Sequence, residues 1–286
     1  MQPNSAIDMP ELRRIILCAD DYGLSPGVNA AIRDLLKRGR INATSAMMVT
    51  PAIDQSEADA LAAIKAEQPG IAIGLHVTLT TPFRPLTKDY APLRDGAFMS
   101  IGQTLGAAML RQLKPALIAA EIRTQIDKFI AIFGAPPDYL DGHQHVQIFP
   151  QVRDALLDVV GNDLPNAWVR QCGRVTPLSS RFADRKGLLL DLLSARFRTR
   201  AARLGVRTNP AFAGSYDFNA DPDFVSLFPQ FLSGLPDGSV VMCHPGFVDD
   251  TLKRLDPLTD LREKEYAFFT GATFPKIMAA NRVMLA

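Results

Sequence analysis

Histidine is scarce in this chain of 286 residues: only His76, His143, His145 and His244. Cysteine is scarce too, and three residues with no CxxC spacing argue against a disulfide framework or a structural zinc knuckle. Net charge is almost absent. With 31 basic and 30 acidic side chains, no global field draws the chain to nucleic acid or to an anionic membrane. No run approaches the ~20 consecutive apolar residues that span a bilayer. Residues 1–14 lack the apolar centre of a secretory signal. Together these absences predict a cytoplasmic protein with no transmembrane segment.

What is present is the composition of a folded protein, 47 % hydrophobic and 21 % charged. Short apolar runs alternate with helical patterns from end to end. Arg14 to Ala19 reads as a buried strand, and Ser25-Pro26-Gly27 opens a helix that Gly39 stops. Thr44 to Thr50, Ile71 to Leu79, Tyr139 to Val146, Ala167 to Arg170, Val206 to Phe212 and Ser239 to Cys243 read as further strands or extended segments. Between them lie helical patterns at Asp54 to Gln68, Ala116 to Phe133, Val152 to Val160, 182–204, Asp223 to Leu232 and Asp260 to Phe269. Residues 80–100 form a long loop of the kind that often serves function. Continuously apolar strands in βα units imply a parallel sheet covered by helices. Seven or eight strands over this length predict an α/β fold of one domain, 1–286, as a distorted, TIM-like (β/α) barrel.

In such a fold chemistry gathers at the carboxyl ends of the strands. Four clusters fall there: Asp20-Asp21 after the first strand, His76 on the third, Asp141-Gly142-His143-Gln144-His145, and His244-Pro245-Gly246. Each has an ordinary reading as well. Asp-Asp can cap a helix, a lone histidine can be a hydrogen-bonded core residue, and His-Pro-Gly can be a turn. Asp141, His143 and His145 are spaced i, i+2, i+4, which in an extended segment places them on one side. Random placement would rarely bring all four histidines and an acidic pair to strand ends. Two histidines and a carboxylate are a common ligand set for a catalytic divalent ion. A second carboxylate beside them suits a general base.

The motifs Cys18-Ala19-Asp20-Asp21-Tyr22-Gly23-Leu24-Ser25, Ile73-Gly74-Leu75-His76-Val77-Thr78-Leu79, Leu140-Asp141-Gly142-His143-Gln144-His145-Val146 and Met242-Cys243-His244-Pro245-Gly246 occur in the order of a known family. The chain resembles the YdjC-type carbohydrate deacetylases, which include chitooligosaccharide and hopanoid-associated deacetylases. The resemblance implies a barrel similar to that of NodB-like polysaccharide deacetylases and one divalent metal, Mg or Zn. It matches Asp21, His76 and His143 to the metal ligands, Asp20 to the catalytic base and His244 to the general acid. Asp141 and His145 would then orient ligands or touch substrate. The implied reaction removes an N-acetyl group from an amino sugar, oligosaccharide or glycolipid, by attack of a metal-bound water. Gln147 departs from the family's usual histidine at that position.

Arg84 on the long loop, with Phe83, Tyr90 and Arg94, is a candidate sugar contact, as is Arg170, with Trp168, at a strand end. The basic segment 181–203 could bind phosphates or a membrane surface. With the chain near neutral, it reads rather as a solvated helix face or subunit contact, with Leu188 to Leu193 as its buried side. Cys243 next to His244 is badly placed for a nucleophilic pair. Other metal-dependent barrel hydrolases, a phosphoesterase or a cyclic amidohydrolase, remain alternatives, as does a non-catalytic sugar-binding barrel. The sequence is also compatible with a homo-oligomer.

Overall fold

A computed structural model describes residues 11–175, 185–218 and 221–286. Parallel strands curl into an incomplete barrel, in the order β6-β5-β4-β3-β2-β1-β8-β7, with β9 paired to the start of β1. The strands are β1 (Arg13–Tyr22), β2 (Ala43–Ala46), β3 (Ala72–Val77), β4 (Tyr139–Gly142), β5 (Trp168–Val169), β6 (Arg207–Thr208), β7 (Phe212–Ala213), β8 (Ser239–Cys243) and β9 (Val283–Leu285). The helices are α1 (Pro26–Lys37), α2 (Gln55–Glu67), α3 (Ile101–Met109), α4 (Pro115–Phe133), α5 (Val152–Asp163), α6 (Arg185–Arg203), α7 (Phe224–Leu232), α8 (Asp250–Leu255), α9 (Asp260–Thr270) and α10 (Thr273–Ala280). No described helix is long and apolar enough to cross a membrane.

Local chemistry sets these elements. Ser25 accepts the Val28 amide as the N-cap of α1, with Pro26 in the first turn where its missing N–H costs nothing. Gly134 closes α4 in the left-handed conformation, at φ 70°. Ile15, Leu17, Cys18 and Ala19 are all buried, as a central strand covered on both faces requires.

Several sequence expectations need correction. The segment from Val206 to Phe212 is not one strand. It is split between β6 and β7, which stand at opposite ends of the strand order, because Pro210 lies between them and cannot donate to a ladder. Thr44 to Thr50 is extended only to Ala46, and Ala167 to Arg170 only over two residues. The helical pattern at 182–204 is observed from Arg185, while 176–184 lie outside the described residues. Leu188 to Leu193 is not a uniformly buried side: Leu193 is buried, but Leu189 and Leu192 are exposed.

Gly74 shows how tightly the sheet is packed beneath the site. A Cβ there would lie 2.4 Å from Cζ of Tyr139. Gly74→Ala is therefore expected to cost about 1–3 kcal/mol of stability through overpacking. A denaturant midpoint unchanged from wild type would show that the Tyr139 ring has room to move.

Candidate active site

In a regular strand Asp20 and Asp21 would face opposite sides of the sheet. They do not, because β1 is irregular at its end. Ala19 lies opposite Thr44 and Tyr22 opposite Ala46, so three steps of β1 run beside two of β2. Asp21 takes a φ of 70°, a left-handed conformation that costs a non-glycine residue about 1 kcal/mol. Such bulges re-aim side chains. Both carboxylates line one pocket of about 370 Å³, together with His76, His143, His145 and His244.

The sequence expectation for Asp141, His143 and His145 needs a different geometry. The extended segment ends at Gly142, and a 3₁₀ segment, His143–Ile148, follows with left-handed Gln144 and His145. Strand alternation therefore does not decide where these side chains point. The turn carries His143 and His145 to the pocket, whereas Asp141 is fully buried behind His76.

Asp21, His76 and His143 offer ligand atoms that all lie within 4.8 Å of one another. Asp21 Oδ1 is 3.3 Å from His76 Nε2 and 3.1 Å from His143 Nδ1. His76 Nδ1 lies 2.6 Å from Asp141 Oδ1 and 3.1 Å from Ser45 Oγ. Donation of Nδ1–H to Asp141 orients the ring so that Nε2 faces Asp21. Burial opposes the charged imidazole, but Asp141, then Asp21 and Asp20, push the His76 pKa up to about 10. Positive charge between these groups is thus strongly favoured. A buried carboxylate and two imidazoles fit a divalent cation by donor type and spacing.

A second grouping, Cys18, Asp20 and Asp141, also has metal-like spacing. It already contains a cation. Arg170, fully buried, donates through Nη1 and Nη2 to the two oxygens of Asp20, each at 2.7 Å. The same Nη2 is 2.9 Å from Asp141 Oδ2. Burial would raise the Asp20 carboxyl, yet Arg170 holds it well below the usual carboxylate range. Cys18 Sγ adds a contact to Asp20 Oδ1 at 3.3 Å and lies 3.0 Å from Tyr139 Oη.

His244 Nε2 lies 4.0 Å from Asp20 Oδ2. Its backbone N–H donates to the buried Glu265 at 2.5 Å, and Tyr216 donates to the other Glu265 oxygen at 2.7 Å. Glu265 is raised above its ordinary range, chiefly by burial. Arg262, also fully buried, donates to Asp21 Oδ2 at 2.7 Å and to Asp256 at 2.8 Å. Burial would raise the Asp21 carboxyl, but Arg262 and the two imidazoles hold it well below the usual range. With Oδ2 taken by Arg262, Asp21 turns Oδ1 toward His76 and His143.

Other expected contacts are placed elsewhere. Arg84 is exposed and donates to Gly96 O at 3.3 Å, so it does not reach the pocket. Tyr90 is buried edge-on against Phe98, and Phe83 packs edge-on to His143 at 5.7 Å. The loop around them is pinned by Glu121, which accepts from the Leu86 and Thr87 amides. Arg94 pairs through its backbone with Ala97. Trp168 stacks on Tyr139 at 4.4 Å. Gln147 is buried and donates to Arg170 O, bracing that residue from behind. Burial, then Arg170, pushes His145 down to about 3, so its imidazole is neutral at ordinary pH. Cys243 Sγ points to Cys18 O, away from the His244 ring.

Sequence reasoning missed Arg262 and Glu265. A signal existed. Both share the inward stripe of α9 with Leu261, Phe268 and Phe269, and charged residues on a buried stripe must have partners.

A family model described as YdjC-like protein matches residues 14–280. A chitooligosaccharide deacetylase of Yersinia pestis (strain Pestoides F) is 31 % identical over 245 residues, 83 % of this chain and 83 % of the relative. The chitooligosaccharide deacetylase of Yersinia pseudotuberculosis serotype O:1b (strain IP 31758) matches equally. Among solved structures, an Enterococcus faecalis V583 protein described as a cellobiose-phosphate cleavage protein has a TM-score of 0.73. It is 20 % identical, covering 96 % of this chain and 97 % of that one. A lactam utilization protein from Thermus thermophilus has a TM-score of 0.50 at 13 % identity, covering 95 % and 98 %. These two structures bear on the fold alone.

Proposed function

The chain belongs to the YdjC-like family, and from that premise we propose that it is a metal-dependent carbohydrate N-deacetylase acting on an N-acetylated amino sugar, as an oligosaccharide or glycolipid. The observation that carries the reading is one arrangement. A base-type carboxylate, Asp20, and an imidazole, His244, stand 4.0 Å apart in the pocket that also holds Asp21, His76 and His143. Two relatives of similar length named chitooligosaccharide deacetylase support the choice of substrate class.

Asp21, His76 and His143 would hold the ion. A divalent cation there supplies Lewis-acid polarisation of the amide carbonyl and offsets charge developing on its oxygen. Asp20, kept ionised by Arg170, accepts the proton of the attacking water. Asp20 lines the pocket, and its Oδ2 is the oxygen that lies 4.0 Å from His244 Nε2. His244 Nε2 holds the proton that the departing sugar amine needs, and Glu265 fixes the backbone that carries it. Asp141 holds His76 in the tautomer that presents Nε2. His145, neutral and edge-on to Phe212 at 5.3 Å, offers a hydrogen-bonding wall without charge.

The test is acetate release from N-acetylglucosamine, chitooligosaccharides and glycolipid acceptors, with and without a chelator. Release that chelation abolishes and added divalent ion restores is the expected result. No chelator-sensitive release from any substrate class overturns the proposal.

A further inference from the structure

The outer face of α6 carries positive charge that the proposed reaction does not use. Arg196, Arg200 and Arg203 are spaced by four and three residues, which puts them on one side of the helix. Arg153 of α5 joins them around a groove of about 380 Å³, whose other lining residues are Ala195 and Thr199. None of these residues lines the pocket of Asp20 and Asp21.

The charges in the groove are only half compensated. Arg153 pairs with Asp154 at 2.8 Å and Arg200 with Asp158 at 2.9 Å. Among the described residues Arg196 and Arg203 make no ion pair or side-chain hydrogen bond. Arg200 Nε is buried with no partner. Four cations thus meet two carboxylates in a chain whose net charge is only +1. Like charges one helical turn apart cost a few tenths of a kcal/mol per pair. An oxyanion in the groove would reverse that cost. The planar guanidinium fork matches the oxygen spacing of a phosphate better than that of a point acceptor.

We propose that the α5–α6 groove binds a phosphate group. The group can arrive on a free phosphorylated molecule or on a phospholipid headgroup. Leu192, 55 % exposed, lies on the same outward face one turn before Arg196, which would suit the lipid source.

The test uses the full chain and the double variant Arg196→Gln/Arg203→Gln. Both side chains are exposed and unpartnered, so the variant keeps the fold. Calorimetric titration with inorganic phosphate at low ionic strength should show binding that the double variant weakens by about tenfold or more, as expected for losing charge-assisted hydrogen bonds. Co-sedimentation with phosphatidylglycerol vesicles, against neutral phosphatidylcholine vesicles, distinguishes the sources. Anionic-vesicle binding lost in the variant assigns the site to headgroups. Phosphate binding lost in the variant, without vesicle binding, assigns it to free phosphorylated molecules. No binding of either probe, or binding undiminished in the variant, overturns the proposal. Because neither measurement reads acetate release, this outcome is independent of the deacetylase reading.

Discussion

Asp20→Asn is expected to reduce acetate release by about 10²–10⁴-fold, the range that a positioned general base contributes. Divalent-metal content should stay at the wild-type level. The expectation follows from how the two carboxylates of the pair are divided. Asp21 faces His76 and His143, whereas Asp20 is tied to Arg170 and lies 4.0 Å from His244. An amide at position 20 has nearly the same shape but cannot take a proton from water. Arg170 keeps Asp141 as its partner at 2.9 Å, so no guanidinium is stranded and the fold should survive. The measurements are kcat for acetate release and metal stoichiometry after loading. Near-normal turnover would remove Asp20 from the base role. Loss of metal together with turnover would instead place Asp20 among the ligands.

Arg170→Met is expected to destabilise the protein by about 3–5 kcal/mol, as breaking a buried ion pair from one side typically does. The buried carboxylates of Asp20 and Asp141 would then face each other with no cation between them. Only the Cys18 thiol contact would remain on Asp20 Oδ1. Methionine fills a similar volume, so the loss reports charge more than cavity. A urea-denaturation midpoint gives the magnitude. Arg170→Lys separates the contributions: it restores one charge but cannot span both Asp20 oxygens, so it should recover part of the stability and less of the turnover. A methionine variant as stable as wild type would mean that the two carboxylates do not depend on the guanidinium.

Legibility in the sequence differed by the kind of signal each residue carries. Strand-end aspartates and histidines stand out because these residue types seldom sit beside buried apolar runs without a partner. Arg170 was legible as a polar strand end but not as the partner of Asp20, since ion pairing across 150 positions has no local spacing. Arg262 reaches Asp21 across 241 positions, and only its place on the inward stripe of α9 hints at it. Arg84 misled for the opposite reason. An arginine in a long loop looks free to reach a ligand, but Glu121 anchors that loop and Arg84 turns outward to Gly96.

The sequence by itself determined the parallel βα order, the covered central strand β1 and the histidines near strand ends, because burial and periodicity are local properties. The tertiary structure alone decided how those residues meet. A bulge at Asp21 turns neighbouring carboxylates into one pocket, and left-handed residues at 144 and 145 replace strand alternation. Two buried arginines then assign each aspartate a different set of neighbours. Such contacts depend on where distant strand ends and helices come together in space, and no short stretch of residues encodes that.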